Sequence, residues 1–197
     1  MKIETNNLII RNFIEQDFEA LFSIKYDKGV MEFIPTYLER NVSNEKAKEY
    51  ITSFNVYEAN QNLKPNRKYA IENKKTNEVM GSISFGMNDL LHEYELGWQM
   101  VEQYCRNGYA SEAAIAFSEY FCENNNVNYL IAVMDIDNPA SYKTALKSGF
   151  KLFEKRTVYD YTYNRYCNDY YYFRRYYSKS SLTNQFCGDT VYDGRYS

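Results

Sequence analysis

The chain has 197 residues, 45% apolar and 18% aromatic, which suits one packed domain and argues against a disordered chain. Its formal net charge of −3 excludes a dedicated nucleic-acid binder, because phosphate neutralisation needs a basic excess. No apolar run approaches the roughly 20 residues that span a bilayer, and MKIETNN lacks the basic-then-apolar order of a signal peptide, so a cytoplasmic protein off the membrane is expected.

LIIRNF (8–13) predicts a strand rich in Leu and Ile. EQDFEALFSIKY then predicts a helix, with Phe18, Leu21, Phe22 and Lys25 at helical spacing and Asp17 as its cap. A second helix fits 44–58, capped by Ser43, with Ala47, Tyr50, Ile51 and Phe54 as its apolar stripe. NLKPNRK reads as a turn. Strands at 69–73 and 79–87, joined by a polar turn at 74–78, read as a hairpin, and HEYELGWQMV (92–101) as a third strand of the same meander. A helix follows over 109–124, with Ala110, Ala113, Ala114, Phe117, Tyr120 and Phe121 on one side. NYLIAVMDI (128–136) reads as a buried strand. NPASYKTALKSGF (138–150) is a short helix, with Asn138 as cap, Pro139 at the first position and Gly149 as the stop. Strands at 151–159 and 169–177 close the domain, leaving 178–197 as a polar tail. This order predicts an α/β domain with a mixed sheet and helices on both faces.

YCRNGYASEA (104–113) sits between the meander and a helix. A helix start leaves backbone N–H groups unpaired and carries partial positive charge. A glycine in the turn lets an anion approach that backbone, and Arg106 could add charge. The same letters also fit a plain helix start, with Gly108 easing the turn and Arg106 in water. The four cysteines (Cys105, Cys122, Cys167, Cys187) form no C-x-x-C pair and His92 is the only histidine, so free thiols and no metal site are expected.

The order of motifs resembles the GCN5-related N-acetyltransferases, in particular their RimJ/RimL-like branch of ribosomal-protein alanine acetyltransferases. IETNNLIIRNFIEQDFEALFSI, YAIENKKTNEVMGSISF, YELGWQMVEQYCRNGYASEA and DIDNPASYKTALKSGFKLFEK carry that resemblance, which covers about residues 3–177. It implies a GNAT domain over 1–177 with a mixed, mostly antiparallel sheet, and acetyl-CoA as donor. The pyrophosphate would lie on the backbone amides of Arg106, Asn107, Gly108, Tyr109 and Ala110. The pantetheine arm would run beside strand 92–101, at Met100 and Val101, pairing with it like an added strand. Two positions depart from the family pattern: Cys105 stands where the wider family has Gln or Arg, and Arg106 where the branch has a second glycine.

The resemblance also implies roles in catalysis. Glu95 aligns with the branch's glutamate and is the candidate base, directly or through water; an outward-facing surface glutamate is the bland alternative, and His92 a second candidate. The backbone N–H around Met100 could polarise the thioester carbonyl. Many family members place a tyrosine acid where this chain has Ala145. Ser141 could hydrogen-bond the leaving sulfur. Tyr142 is adjacent, but successive helical residues point about 100° apart, so both cannot face it. Asn138 contacts the pantetheine, caps its helix, or does both. Cys105 and Cys122 have no neighbouring base to make either a nucleophile. The tyrosine-rich stretch after residue 156 suits strand packing, a pocket for a cationic amine, or a contact between the subunits of a homodimer. Asp169 matches an acidic residue of the branch and reads as structural. The expected activity is direct acetyl transfer to a primary amine, a protein N-terminus or a small molecule. The rival is a non-catalytic acyl-CoA-binding or regulatory domain that keeps the fold.

Overall fold

The computed structural model describes residues 1–34, 43–59, 67–88, 91–157, 159–160, 165–166 and 169–177. The tail 178–197, most of the NLKPNRK turn, the side chain of Phe54, Cys167 and Cys187 lie outside them. An eight-stranded sheet runs in the order β1 (Lys2–Glu4), β2 (Leu8–Asn12), β3 (Arg67–Asn73), β4 (Val79–Met87), β5 (Tyr94–Met100), β6 (Tyr129–Asp135), then two strands from the end of the chain. The penultimate position in space belongs to β10 (Tyr170–Tyr176) and the edge to β7 (Lys151–Arg156). A separate pair, β8 (Tyr159–Asp160) with β9 (Arg165–Tyr166), fills the interval between them in sequence. Every pairing in the large sheet is antiparallel except β5 with β6.

Two faces of the sheet are covered by different helices. On one, α4 (Tyr109–Asn125) buries Ala113, Ala114, Phe117, Phe121 and Cys122 against Leu8, Ile71, Ile83, Phe85 and Leu96. Full burial of each large side chain contributes about 1.5–3 kcal/mol, so this layer is the main core. α5 (Pro139–Lys147) adds Ala145 to the same layer. On the other face, Leu21 of α1 (Phe18–Lys25) and Ile51 of α3 (Asn44–Ala59) pack on Phe13 and Ala70. The mixed sheet with helices on both faces is thus as expected, and the meander β3–β4–β5 has the anticipated order.

Several local expectations change. β1 and the short α2 (Lys28–Phe33) are not visible in the periodicity, being only three and six residues long. Tyr120 is 39% exposed, off the buried stripe of α4, whose inner face takes Ser118 and Cys122 instead. Asp17 does not cap α1 with its side chain. Its carboxylate accepts from the Ile14 N–H at 2.8 Å and from both terminal nitrogens of Arg11 at 2.6 and 3.0 Å. A half-buried guanidinium is the stronger partner. Ser43 does cap α3, accepting from the Lys46 N–H at 3.3 Å. Gly149 ends α5 with φ +81°, a left-handed backbone that suits glycine.

Candidate active site

The site grows from the one parallel contact. β5 and β6 meet in register only at Glu95 opposite Ile131. Beyond that point no pairing among the described residues joins them, so the strands part toward Met100. Val101 N–H donates to the Met80 carbonyl at 3.0 Å, and Asn88 N–H to the Glu93 carbonyl at 2.8 Å. Main-chain groups alternate along a strand, so odd-numbered residues of β5 face β4. Trp98 and Met100 therefore turn their N–H and C=O groups to the widening gap. That edge can take an extended ligand as an added strand, with Met100 N–H as a donor to an acyl oxygen. Val101 is different. Its N–H is held by Met80 and its carbonyl accepts from Tyr104 N–H at 2.9 Å, leaving mainly its side chain.

The chain then makes a 3-10 turn at Glu102–Tyr104 and reaches α4 through Cys105–Gly108. Arg106, Asn107 and Gly108 are exposed. Gly108 has φ +84°, and a Cβ built there would meet nothing within 4 Å, so the cradle is open. No side chain caps α4, and its first turn starts with Tyr109 and Ala110 half-buried beneath the loop. Uncapped N–H groups at a helix start fit a pyrophosphate. Arg106 holds φ +67°, the left-handed backbone that a glycine adopts freely. The Asn107 side chain turns inward, donating to the carbonyls of Tyr104 and Cys105 at 3.2 and 3.1 Å.

Two side chains fix this loop from outside, and neither stands out in the sequence. Asp27, in the turn between α1 and α2, accepts from the Glu102 N–H at 3.0 Å and from the Gly29 N–H at 3.0 Å. Glu112, in the first turn of α4, accepts from Thr5 Oγ1 at 2.5 Å and from Asn7 N and Nδ2 at 2.9 and 3.0 Å. The helix start is thereby pinned to the β1–β2 turn.

Glu95 is half-buried on the α1 face of the sheet, the same face as the buried Gln99 four residues on. Burial pushes its carboxyl above the usual range, and the hydrogen bond from Asn88 Nδ2 at 2.6 Å draws it partly back. A raised carboxylate is a stronger base near neutral pH. His92 is exposed with φ +54° in the β4–β5 turn.

On α5, Asn138 Oδ1 accepts from Ser141 N–H at 2.9 Å, so it caps the helix. Ser141 is half-buried. The Tyr142 ring stacks edge-on against Tyr171 and Phe173 of β10, at 4.9 and 5.3 Å between centroids. Ala145 is fully buried in the core. Cys105 is exposed, yet partial enclosure of its sulfur and the carboxylates of Asp27 and Glu102 push its thiol up; burial does the same to Cys122. Both are poor nucleophiles. Asp169 pairs with Lys155 Nζ at 2.5 Å and accepts from Thr157 Oγ1 at 2.8 Å, a structural clasp between the last strands.

Part of the tyrosine-rich stretch surrounds a carboxylate. Glu93 accepts from Tyr129 at 2.8 Å, Tyr172 at 2.5 Å and Arg174 at 3.0 Å. Burial raises the Glu93 carboxyl, but these three partners outweigh it and hold it low, while the Tyr172 phenol is pushed up to about 12 by burial and by Glu93.

Comparison with known proteins agrees with this geometry. Residues 7–151 match the family described as acetyltransferase (GNAT) domain. "Uncharacterized N-acetyltransferase YnaD" of Bacillus subtilis (strain 168) is 32% identical over 152 residues, covering 77% of this chain and 83% of the relative. A solved GNAT-family acetyltransferase from Bacillus anthracis superposes with a TM-score of 0.70 at 25% identity, over 89% of this chain and 98% of that one. RimL, a ribosomal L7/L12 alpha-N-protein acetyltransferase solved with coenzyme A, shares the fold at a TM-score of 0.70 and 18% identity, over 89% and 98% of the two chains. With a parted β5–β6 pair, an uncapped α4 and a family match across most of its length, the chain belongs to the GNAT acetyltransferase family.

Proposed function

We propose that this acetyltransferase moves the acetyl group of acetyl-CoA to a primary amine, by direct attack in a ternary complex. One observation carries the reading: a half-buried carboxylate, Glu95, whose basicity is raised where β5 leaves β6. Acetyl-CoA supplies the activated thioester. Main-chain N–H groups of Arg106 to Ala110 hold its pyrophosphate, and the free edge of β5 at Met100 aligns its arm. The neutral amine attacks the thioester carbon; the C–N bond forms and the C–S bond breaks. Met100 N–H stabilises the charge on the acyl oxygen. Glu95 takes the proton from nitrogen, directly or through one water, and returns it to solvent. Ser141 donates a hydrogen bond to the departing sulfur, which is protonated from water.

The buried methyl of Ala145 offers no acid, and that favours a second reading, a non-catalytic acyl-CoA-binding domain. Release of free thiol from acetyl-CoA across a panel of amines separates the two. The proposal expects turnover with at least one amine, lost in Glu95→Gln. Tight binding with no turnover on any amine favours the second reading.

A further inference from the structure

We infer that Lys25 and Lys68 form an anion-binding pair in the acceptor half of the cleft, so that the acceptor is an amine that also carries a carboxylate or a phosphate. The anion site stands on the burial of Lys25 and the place of Lys68 on the same face; calling its ligand the acceptor rests on the acetyl-transfer reading above.

Lys25 ends α1 and is only 9% exposed. Lys68 lies on β3, where Tyr69 and Ile71 face α4 and Ala70 faces α1 and α3. Alternation puts Lys68 on the α1 face, and its side chain meets that of Lys25. Lys68 pairs with Ser84, and Ser84 with Gly97; the next row on this face holds Gly86 and Glu95. Ser82 and Gln99, joined at 3.2 Å, complete a polar floor beneath α1. The lysine pair and the candidate base therefore share one face of the sheet, in neighbouring rows.

Two ammonium groups in contact away from water repel each other. Burial, and then the like charge of Lys25, lower the Lys68 amine to about 7. No carboxylate among the described residues relieves the pair. Glu72, on the same face, is bound by Arg11 at 2.6 Å, as is Asp17. Asp27 accepts from two main-chain N–H groups, and Glu95 from Asn88. From β4 and β5 this face adds only the serines, Gln99 and Glu95 itself. An oxyanion between the two nitrogens would let both stay charged. Binding would then be accompanied by proton uptake, because burial and the like charge hold the Lys68 amine low in the free pair. An amine seated toward Glu95 with its anion on the lysines would be fixed at two points.

Inorganic phosphate and acetate are the probes, titrated calorimetrically near neutral pH in two buffers of different ionisation enthalpy. At least one should bind with proton uptake, and Lys68→Met should abolish both binding and uptake. Without added anion, Lys68→Met should melt at or above the wild-type temperature, since it removes a buried like charge. Absence of binding by either anion, equal binding to Lys68→Met, or a variant that melts several degrees lower would overturn the site; the last result means a carboxylate elsewhere in the chain closes the pair. A second arm compares matched acceptors, phosphoethanolamine with ethanolamine and amino acids with their decarboxylated amines. The anion-bearing member should be preferred about tenfold or more in kcat/KM, with the preference lost in Lys68→Met. Preference for the neutral members overturns the acceptor assignment. Failure of acetyl transfer with every amine leaves the calorimetric result to decide the site by itself.

Discussion

Asn88 Nδ2 donates to Glu95 Oε2 at 2.6 Å, so the residue that follows β4 holds the carboxylate near the start of β5. Burial and this bond act in opposite senses on one proton. The folded carboxyl lies above its unfolded value, so ionising it costs stability that grows as pH rises through that window. Glu95→Gln should therefore raise the melting temperature near neutral pH. It should also lower kcat by about 10²–10⁴ with little change in acetyl-CoA affinity. In the wild type, kcat/KM should fall as pH drops through the raised pKa. A profile unchanged from wild type to Glu95→Gln would remove this residue as the base.

Arg106 keeps a glycine's backbone without being glycine. A left-handed conformation costs an ordinary residue about 1 kcal/mol. Arg106→Gly should stabilise the protein by up to about that amount, less the greater freedom of glycine in the unfolded chain. Denaturant midpoints check it. If the guanidinium also meets a phosphate, acetyl-CoA affinity should weaken in the same variant, and equal affinity would assign the binding to the backbone alone.

Asp27 joins the α1–α2 turn to the loop before α4. Asp27→Ala should cost about 1 kcal/mol, the usual loss for a helix cap. It should also raise the dissociation constant for acetyl-CoA, because the loop is no longer fixed. Asp27→Asn keeps one acceptor oxygen for the two N–H groups that Asp27 holds with separate oxygens, so it should recover only part of the loss. Calorimetric titration of the two variants reads the effect.

Glu93 gathers three donors from β6 and β10. Glu93→Gln should destabilise the fold by about 2 kcal/mol near neutral pH. Its folded pKa is depressed, so its contribution is present above the unfolded pKa and lost as pH falls through the folded one. The gap between wild type and variant should close on acidification. A pH-independent gap would contradict the ionic account.

Long, strongly patterned elements were legible in the sequence. α4 announces itself through Ala113, Ala114, Phe117 and Phe121, and α5 through Asn138, Pro139 and Gly149, because burial and capping leave local marks. Tyr120 misled because helical spacing alone does not say where the buried stripe ends. The Glu95 position was legible through its motif, but its partner Asn88 was not, since a cross-strand contact carries no fixed spacing. Lys25 read only as one position in the helical spacing of α1, and only the folded sheet brings Lys68 to it. Asp17 looked like a cap because local rules favour one; a guanidinium from β2 took its carboxylate instead. Long-range pairs of this kind are decided by topology, which the letters specify only collectively.

The central claim is that the loop before α4 cradles acetyl-CoA. The most direct measurement is thermal unfolding across an acetyl-CoA titration, for the wild type and for Gly108→Trp. A ligand that binds only the folded state adds RT ln(1 + [L]/Kd) of stability, about 2.7 kcal/mol at a hundredfold excess over Kd. The account predicts a melting temperature that climbs with acetyl-CoA in the wild type and stays flat in the variant, whose new side chain would occupy the open space at Gly108. A wild-type melting temperature unmoved by millimolar acetyl-CoA, or an equal rise in both proteins, would contradict it.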